Sequence, residues 1–230
     1  QMCIRDSLIS DIAHQTLTPI SNLKIYGEIL SETNHENQEE IATILEQTDK
    51  LDFLIQSLVK LSRMESGIIA VHSEDTTIKQ MLESIQQQFN VKVREKNITL
   101  SLCDTDLHIR CDSKWTVEAL GNIVDNAIKY TACGGNVQIK VEQYSFFVKI
   151  DIIDDGIGIE KEEIPKIFGR FYRSLSVADQ PGVGIGLFLA REIIQAQKGY
   201  IKVTSKRGKG STFSVFLPIA DSKEGIVSKL

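Results

Sequence analysis

Two stripes of apolar residues at helical spacing, separated by a short polar break, constrain the fold of this chain more than any other feature. The first stripe lies within residues 8–30 and the second within residues 41–61. Apolar side chains three and four residues apart share one helix face, so two antiparallel helices are predicted, with a loop at residues 32–37. A lone hairpin cannot cover both stripes, whereas two copies can bury them in a four-helix bundle. Homodimerisation is therefore expected.

The helical stripe ends close to Gly67, a residue type that commonly stops a helix. A chain of 230 residues has room for another domain beyond that point, since domains commonly have about 100–150 residues. Residues 2–7 resemble the translation of a sequencing-library adapter, so they are set aside from the fold. The predicted divisions are a non-native segment at 1–7, the hairpin at 8–66, a linker at 67–72, the second domain at 73–220 and a flexible tail at 221–230.

The second domain mixes helical and strand-like periodicity, so it is predicted to be an α/β domain and the whole chain to be of the α+β class. The central helix is predicted to have an N-terminal cap at Asp112 or Ser113. The side chains of both residue types can accept hydrogen bonds from the backbone N–H groups of the first helical turn. The predicted helices cover about 78–89, 112–130 and 186–196, and the predicted strands cover 98–102, 137–141, 148–152, 201–203 and 213–217.

Charge and composition exclude several functions. The net charge is −5, and charged residues of both signs are spread along the chain. Nucleic acid binding needs a concentrated basic face instead. The four cysteines lack metal-type spacing and are few for a disulfide framework, which favours reduced thiols and a cytoplasmic location. No apolar run approaches the roughly 20 residues of a membrane span. If residues 2–7 derive from an adapter, the natural protein is expected to continue upstream of Leu8, where any sensor or membrane segment would lie.

The helix predicted at 112–130 carries amides and an amine on one face. Asn122 and Asn126 are one helical turn apart, and either Lys129 or Tyr130 continues the same stripe. The opposite face is apolar and is expected to pack on the sheet. Two asparagines and a lysine on one stripe indicate a polar cavity, although a solvated helix face is the more common meaning of such a pattern.

Two glycine-rich segments carry the next signal. Residues 154–159 follow a strand directly, and Asp154 at its end can accept a hydrogen bond from an exocyclic amine such as that of adenine. Residues 182–187 run into a helix, where exposed backbone N–H groups and the positive end of the helix dipole attract phosphate. This second segment does not follow a strand and lacks a Walker lysine, which disfavours a dinucleotide fold or a P-loop. Taken singly, each segment is also typical of a tight turn.

Residues 167–173 lie between the two glycine-rich segments and combine aromatic residues with two arginines. Small and polar residues follow, a composition typical of a mobile lid. The aromatic side chains can anchor such a lid on the domain. Arg170 or Arg173 can then reach a phosphate. Taken singly, however, an arginine on a loop is more commonly a solvated surface residue.

In order and spacing, these motifs resemble those of the histidine kinases of two-component signalling. The resemblance extends to the first helix, where residues 12–19 are similar to the histidine box of that family. The matching segments of the second domain are 122–130 for the asparagine box, 154–158 for the first glycine box, 168–173 for the phenylalanine box, 182–186 for the second glycine box and 208–213 for the glycine-threonine motif.

The resemblance implies a phosphoacceptor hairpin, half of a dimeric four-helix bundle, followed by a two-layer α/β ATP-binding domain of the Bergerat fold. It also implies ATP and Mg²⁺ as cofactors. Asp154 would hold the adenine amine and Asn126 would bind Mg²⁺, while Asn122, Lys129 and Arg173 would hold the triphosphate. The other ATP-binding residues implied by the resemblance are Tyr130, Gly156, Gly158, Gly182, Gly184, Gly186, Leu187 and Thr212.

By the same resemblance, His14 would be the phosphorylated nucleophile, and neutral imidazole is available near pH 7 because its unperturbed pKa is about 6.5. Pro19 deprives the Gln15 carbonyl of its helical partner and is expected to bend the helix beside His14. Thr18 resembles the residue that orients water for dephosphorylating a partner regulator. Relatives commonly have an acid in place of Gln15 and a base in place of Leu17, and an amide cannot take a proton from the imidazole.

The function implied is an ATP-dependent protein-histidine kinase that phosphorylates His14 and transfers the phosphoryl group to an aspartate of a response regulator. The alternative is a weak kinase that acts mainly as a response-regulator phosphatase or docking module. A chaperone-type or topoisomerase-type ATPase on the same fold is a third possibility. The helical hairpin with a phosphorylatable histidine argues against that third function.

Overall fold

The structure is a computed structural model that describes residues 20–30, 32, 38–65, 72–177, 180 and 183–219. The chain forms two compact units, one made mainly of residues before position 70 and the other mainly of residues after it. The predicted segments at 1–7 and 221–230 lie outside the described residues.

The first unit contains two helices. Helix α1 covers residues 20–30 of the described chain, and helix α2 covers Gln38–Glu65. Ile20 and Ile41 are buried, and an exposed ion pair joins Lys24 to Asp49 at 2.6 Å. Several large apolar side chains of this unit are about half exposed, namely Leu23, Ile25, Tyr26, Ile29, Leu30, Ile44, Leu51 and Phe53. Within the described residues, both predicted helices are therefore present, and the apolar surface of these residues is only partly covered within one chain.

The second unit is built on a five-stranded mixed sheet. Its strands are β2 at Thr99–Leu102, β4 at Asn136–Gln143, β5 at Phe147–Asp154, β6 at Tyr200–Ser205 and β7 at Ser211–Pro218. Their order in the sheet is β2-β4-β5-β7-β6, with β2 and β4 parallel and the remaining neighbours antiparallel. A separate two-stranded antiparallel ribbon pairs β1 at Glu74–Thr77 with β3 at His108–Cys111.

Three helices form a layer with this sheet, and the core lies between them. They are α3 at Ile78–Glu95, α4 at Ser113–Tyr130 and α5 at Gly186–Ala196. Alternate residues of the strands point to the helices, as shown by the fully buried Ile150 and Ile152 of β5 and Val215 of β7. Their helix-side partners include the equally buried Ile123 and Val124 of α4. The predicted two-layer α/β arrangement is confirmed.

A polar network at the start of α4 fixes this helix against α5. The Asp112 carboxylate caps α4 by accepting from the Trp115 backbone N–H at 3.1 Å, as its position in the sequence predicted. The buried Gln197 Oε1 accepts from the Asp112 backbone N–H at 2.8 Å and from the Thr116 hydroxyl at 3.2 Å. Because each buried polar group here has a partner, the ends of the two helices are held in a fixed register.

The sequence did not predict the ribbon of β1 and β3. Each strand has only four residues, and only Thr76, Ile109 and Cys111 among them are buried. Such short segments show too little alternation to be separated from turns.

Helix α3 also continues past its last buried residue, Phe89, to Glu95. Among the described residues, no helix is both long and apolar enough to cross a bilayer.

Candidate nucleotide site

The polar face of α4 forms one wall of the candidate site. The Asn122 side-chain nitrogen donates to the Glu118 carbonyl at 2.9 Å, and that of Asn126 donates to the Asn122 carbonyl at 3.0 Å. Each amide therefore uses one of its two N–H groups along the helix. Among the described residues, neither side-chain oxygen accepts a hydrogen bond, so both are acceptors that a cation or a donor could use.

The start of α5 lies directly against this face. A Cβ atom placed on Gly186 would be 3.0 Å from the Asn122 Oδ1 atom. Any larger residue at position 186 would therefore displace the Asn122 amide. Gly184 has a φ of 79°, and a Cβ atom placed on it would be 2.6 Å from the Tyr172 carbonyl oxygen, so this part of the second glycine segment also needs glycine. Leu187 lies in the first turn of α5.

The first glycine loop is joined to the other end of α4. The Ile157 N–H donates to the Tyr130 carbonyl at 3.3 Å, and a Cβ on Gly156 would be 2.5 Å from that same oxygen. Gly158 has a φ of 68° and lies against the Lys206 backbone, where a side chain would collide. The close approach of the loop to α4 thus depends on glycine at both positions.

Asp154 ends β5 as a buried carboxylate at the base of the loop. Its Oδ1 atom accepts from the backbone N–H groups of Gly156 at 2.9 Å and Ser211 at 3.2 Å. Among the described residues, no donor is hydrogen-bonded to Oδ2. Burial raises the pKa of this carboxyl group above its ordinary value, and the two N–H donors counteract part of that effect. A fixed, partly desolvated acceptor of this kind can select a ligand that carries an amine.

Two cationic side chains, Lys129 and Arg173, lie close to the C-terminal end of α4. The Lys129 ammonium lies 4.9 Å from the centre of the Tyr130 ring. Burial lowers the pKa of Lys129, and the positive charge of Arg173 lowers it further. Burial raises the pKa of the Tyr130 hydroxyl, whereas Arg173 opposes this rise. Arg173 and Lys129 therefore act on the same small region, and an anion bound there would relieve their mutual repulsion.

The segment predicted as a lid is anchored by one of its aromatic residues. Phe168 is buried, and the Arg191 guanidinium lies 5.5 Å from its ring centre. Phe171 is instead 55% exposed. The Arg170 guanidinium lies over the Phe188 ring at 4.7 Å, and Arg173 donates to the Val177 carbonyl at 2.8 Å. The two arginines thus have different surroundings, and Arg173 is the one whose charge acts on the end of α4.

Two family models match the chain. The model described as histidine kinase-, DNA gyrase B-, and HSP90-like ATPase matches residues 111–221. The model described as the His Kinase A (phospho-acceptor) domain matches residues 4–67. The chain belongs to the sensor histidine kinases of two-component systems.

Individual histidine kinases show the same relationship. Sensor histidine kinase WalK of Bacillus subtilis (strain 168) is 31% identical over an alignment of 229 residues. The alignment covers 96% of this chain and 38% of WalK. A crystal structure of full-length ShkA in complex with AMPPNP has a TM-score of 0.77 at 20% identity, covering 93% of this chain and 46% of that chain. The mycobacterial sensor histidine kinase MprB has a TM-score of 0.57 at 25% identity, covering 64% of this chain and 97% of that chain.

The predicted family and the Bergerat fold are confirmed by these comparisons. The chain spans about two fifths of the length of the curated histidine kinases that it matches. ATP binding is a property of the matched ATPase family.

Most of the predicted ATP-binding residues of this histidine kinase lie in the second unit. Thr212 pairs with Ile153 in the sheet, one position along from the pair of Asp154 and Ser211. Asn122, Asn126, Lys129, Tyr130, Asp154, Gly156, Gly158, Arg173, Gly184, Gly186, Leu187 and Thr212 are all described. Gly182 and the hairpin residues His14, Gln15 and Thr18 lie outside the described residues.

Sequence reasoning missed Ser211, whose backbone N–H holds the Asp154 carboxylate. The register of β5 against β7 places these two residues opposite each other. The sequence motif at 208–213 was the available signal, because its glycines permit the tight approach of the β6–β7 turn to the first glycine loop. The Gly208 N–H indeed donates to the Ile157 carbonyl at 2.7 Å.

Proposed function

We propose that this chain is an ATP-dependent kinase that phosphorylates its own His14 and passes the phosphoryl group to an aspartate of a response regulator. The observation that carries the proposal is the convergence of two segments on α4. The first glycine loop contacts the end of α4 through Ile157 and Tyr130, and the start of α5 contacts its polar face at Asn122. A nucleotide bound there would meet the acceptor of Asp154 and the cations of Lys129 and Arg173.

The proposed roles follow from the chemistry of each group. Asp154 would accept a hydrogen bond from the adenine amine through its Oδ2 atom. Lys129, Arg173 and the second N–H of the Asn122 side-chain amide would donate to phosphate oxygens. The glycines at 156, 158, 182, 184 and 186 would let the nucleotide approach the backbone. Leu187, Thr212 and Tyr130 would line the same site.

The residues present fit a magnesium ion that is bound mainly by the nucleotide. Among the described residues, no group of three or more histidines, cysteines or acids could hold a metal ion. The Asn126 Nδ2 atom donates to the Asn122 carbonyl, and among the described residues its Oδ1 atom accepts no hydrogen bond. A neutral amide suits this role, because Mg²⁺ takes phosphate oxygens and waters as its other ligands. When bound, the ion would neutralise phosphate charge.

The proposed reaction needs a nucleophile and an acceptor for its proton. A His14 ring nitrogen would attack the γ-phosphorus, and the bond from phosphorus to the bridging oxygen would break to release ADP. The proton of the other ring nitrogen would pass to water, since Gln15 cannot take it. Transfer to the regulator would then break the P–N bond as an aspartate oxygen attacks. Thr18 would orient water for a separate activity, the hydrolysis of the phosphoryl group from the aspartate of the regulator.

The wider assembly is part of the same proposal. The hairpin at 8–66 would pair with a second copy, because its half-exposed apolar residues would each gain about half of the roughly 1.5–3 kcal/mol that full burial of an exposed apolar side chain contributes. The linker at 67–72 would join it to the catalytic domain at 73–220. The site needs ATP, so we propose that both domains function in the cytoplasm. A membrane anchor, if the parent protein has one, would belong to another part of that protein.

The second candidate function is a weak kinase that acts mainly as a regulator phosphatase or docking module. The observation that favours it is Gln15 in the position where relatives commonly place an acid. Incubation with γ-labelled ATP and Mg²⁺ separates the two functions. A strong kinase accumulates label on the protein, whereas a weak kinase that acts mainly as a phosphatase or docking module accumulates little label and still binds nucleotide in the presence of Mg²⁺.

Gln15→Glu is expected to raise the initial rate of autophosphorylation by about tenfold, because a carboxylate can take the imidazole proton that an amide cannot. The rate is measured with γ-labelled ATP at saturating concentration. Gln47→Glu is the matched control, since it makes the same chemical change at an exposed position of α2. A rate that does not change in Gln15→Glu would mean that proton transfer does not limit the reaction.

Nucleotide affinity is expected to fall as the pH is lowered through the pKa of Asp154, which burial raises. Protonation occupies an acceptor site of the carboxyl group, so the adenine amine loses its partner on the acidic side of this pKa. Titration of a fluorescent ATP analogue between about pH 4 and pH 7 measures the effect. Asp154→Asn should bind weakly at every pH and lack the acidic step. The same step in that variant would assign it to another group.

A further inference from the structure

Lys96 makes an unusual set of contacts at the end of α4. Its side-chain nitrogen donates to the carbonyls of Ile128, Lys129 and Thr131, each at 2.9 Å. These acceptors are 32 to 35 residues away in the sequence. An ammonium group has three N–H donors, so all of them are used on the backbone of one turn. Bonds of this kind, with a charged donor, are stronger than bonds between neutral groups.

The last four carbonyls of α4 have no partner inside the helix and must find one elsewhere. Ala127 accepts from the Thr131 N–H at 3.1 Å, and Tyr130 accepts from the Ile157 N–H at 3.3 Å. Lys96 supplies the partner for the two carbonyls between them. The final turn of α4 is therefore held from outside by two groups, the Lys96 ammonium and the first glycine loop.

Lys96 itself sits in a rigid turn. It follows α3, and the next residue, Asn97, has a φ of 51°. The Ile98 N–H donates to the Val93 carbonyl at 2.9 Å, which closes the helix end in the manner of a Schellman motif. The Lys96 carbonyl accepts from the Gly134 N–H at 3.0 Å, just beyond α4. Both ends of the contact are thus fixed before any ligand binds.

We propose that Lys96 is a positioning residue for the nucleotide site, an inference that rests on the proposed function. It acts through the turn that carries Lys129 and Tyr130, and through the Tyr130 carbonyl that receives the first glycine loop. Without the ammonium group, three carbonyls would lose their partner and the turn would rearrange to reach water. Lys129 and the loop at Gly156 would then lose their relative placement.

The charge of Lys96 adds an electrostatic effect. A helix C-terminus carries a partial negative charge of about half an elementary charge. In this chain, that end lies beside Lys129, the group proposed to hold a phosphate. The Lys96 ammonium offsets this negative charge, so an incoming triphosphate is not repelled by the carbonyls. The effect is local, because Lys96 is only partly exposed and the carbonyls are in direct contact with it.

Lys96→Met in the full chain tests the proposal, because methionine keeps the length of the side chain and removes its donors. We expect affinity for ADP and for a non-hydrolysable ATP analogue to fall about tenfold, the change that follows from about 1.4 kcal/mol of lost binding free energy. Calorimetry is done well below the unfolding temperature of each variant, so that a lower stability alone does not change the affinity.

Two controls separate positioning from stability. Lys92→Met removes an exposed ammonium from α3 that pairs with Asp125, and Ile85→Val removes a buried methylene from the same helix. Both should bind nucleotide as the unchanged protein does.

Wild-type affinity in Lys96→Met would overturn the proposal. If Lys96→Met does not fold, Lys96→Arg decides: its planar group cannot aim three donors from one atom, and affinity should fall about threefold. Wild-type affinity in that variant would also overturn it.

Amide hydrogen exchange tests Lys96 without any nucleotide. The Ile157 N–H is bonded to the Tyr130 carbonyl, so it should exchange about tenfold faster in Lys96→Met if the turn loosens. Unchanged exchange would overturn the proposal for Lys96 whatever the result with nucleotide. Absence of nucleotide binding by the unchanged protein, together with faster exchange in the variant, would instead remove the proposed function and leave the structural role of Lys96 in place.

Discussion

His14→Ala is expected to abolish the incorporation of label from γ-labelled ATP, leaving only background. A phosphoryl group on imidazole is held by a P–N bond, which acid cleaves and base does not. The label on the unchanged protein should therefore survive alkali and be lost in acid. Phosphoserine, which is lost in alkali, and an acyl phosphate, which is lost under both conditions, would behave differently. The measurement is gel autoradiography after each treatment.

The controls for this experiment come from the chain itself. His108→Ala removes an exposed imidazole on β3 and should leave labelling unchanged. Nucleotide binding by His14→Ala should also be unchanged, since the proposed ATP-binding residues all lie in the second domain. Label that persists in His14→Ala with acid-labile, base-stable character would show that another histidine is the nucleophile. Loss of nucleotide binding in that variant would make its lack of label uninformative about chemistry, so binding is measured first.

Much of the fold could be predicted because its elements are long or strongly periodic. Helix α4 was predicted from its cap at Asp112 and its apolar back, and α5 from the glycine at its start and the stripe that follows. The strands of the large sheet alternate over up to eight residues, which leaves little ambiguity. In each case the local pattern and the tertiary packing favour the same structure.

The contacts that the sequence did not reveal are made between distant residues through the backbone. The Lys96 ammonium binds carbonyls, and carbonyls are present at every position, so no residue pattern marks the acceptor. The Ser211 N–H that holds Asp154 is likewise independent of the serine side chain. Motifs at 122–130 and 154–158 predicted which side chains belong to the candidate site. How the turns that carry them are held depends on register and packing, which only the three-dimensional structure provides.

Asn126→Asp is expected to weaken binding of Mg²⁺-ATP about a hundredfold. The substitution removes the N–H that donates to the Asn122 carbonyl and brings a carboxylate against that oxygen. It also directs negative charge toward the phosphates, and two unit charges about 4 Å apart at the edge of a protein repel by roughly 4 kcal/mol. Part of this repulsion is screened or relieved by movement, so a smaller net loss of about 2.7 kcal/mol is expected.

The measurement is a titration of ATP analogue into each protein with and without Mg²⁺. Asn90→Asp makes the same chemical change on the exposed side of α3 and should bind as the unchanged protein does, which separates local repulsion from a change in net charge. Thermal unfolding without nucleotide should shift far less than binding, because Asn126 is only half-buried and α4 keeps its apolar back. Equal affinity of the Asn126→Asp variant and the unchanged protein in the presence of Mg²⁺ would remove the metal role of Asn126. A loss of similar size in Asn90→Asp would attribute the effect to net charge, because the two variants differ only in where the new carboxylate lies.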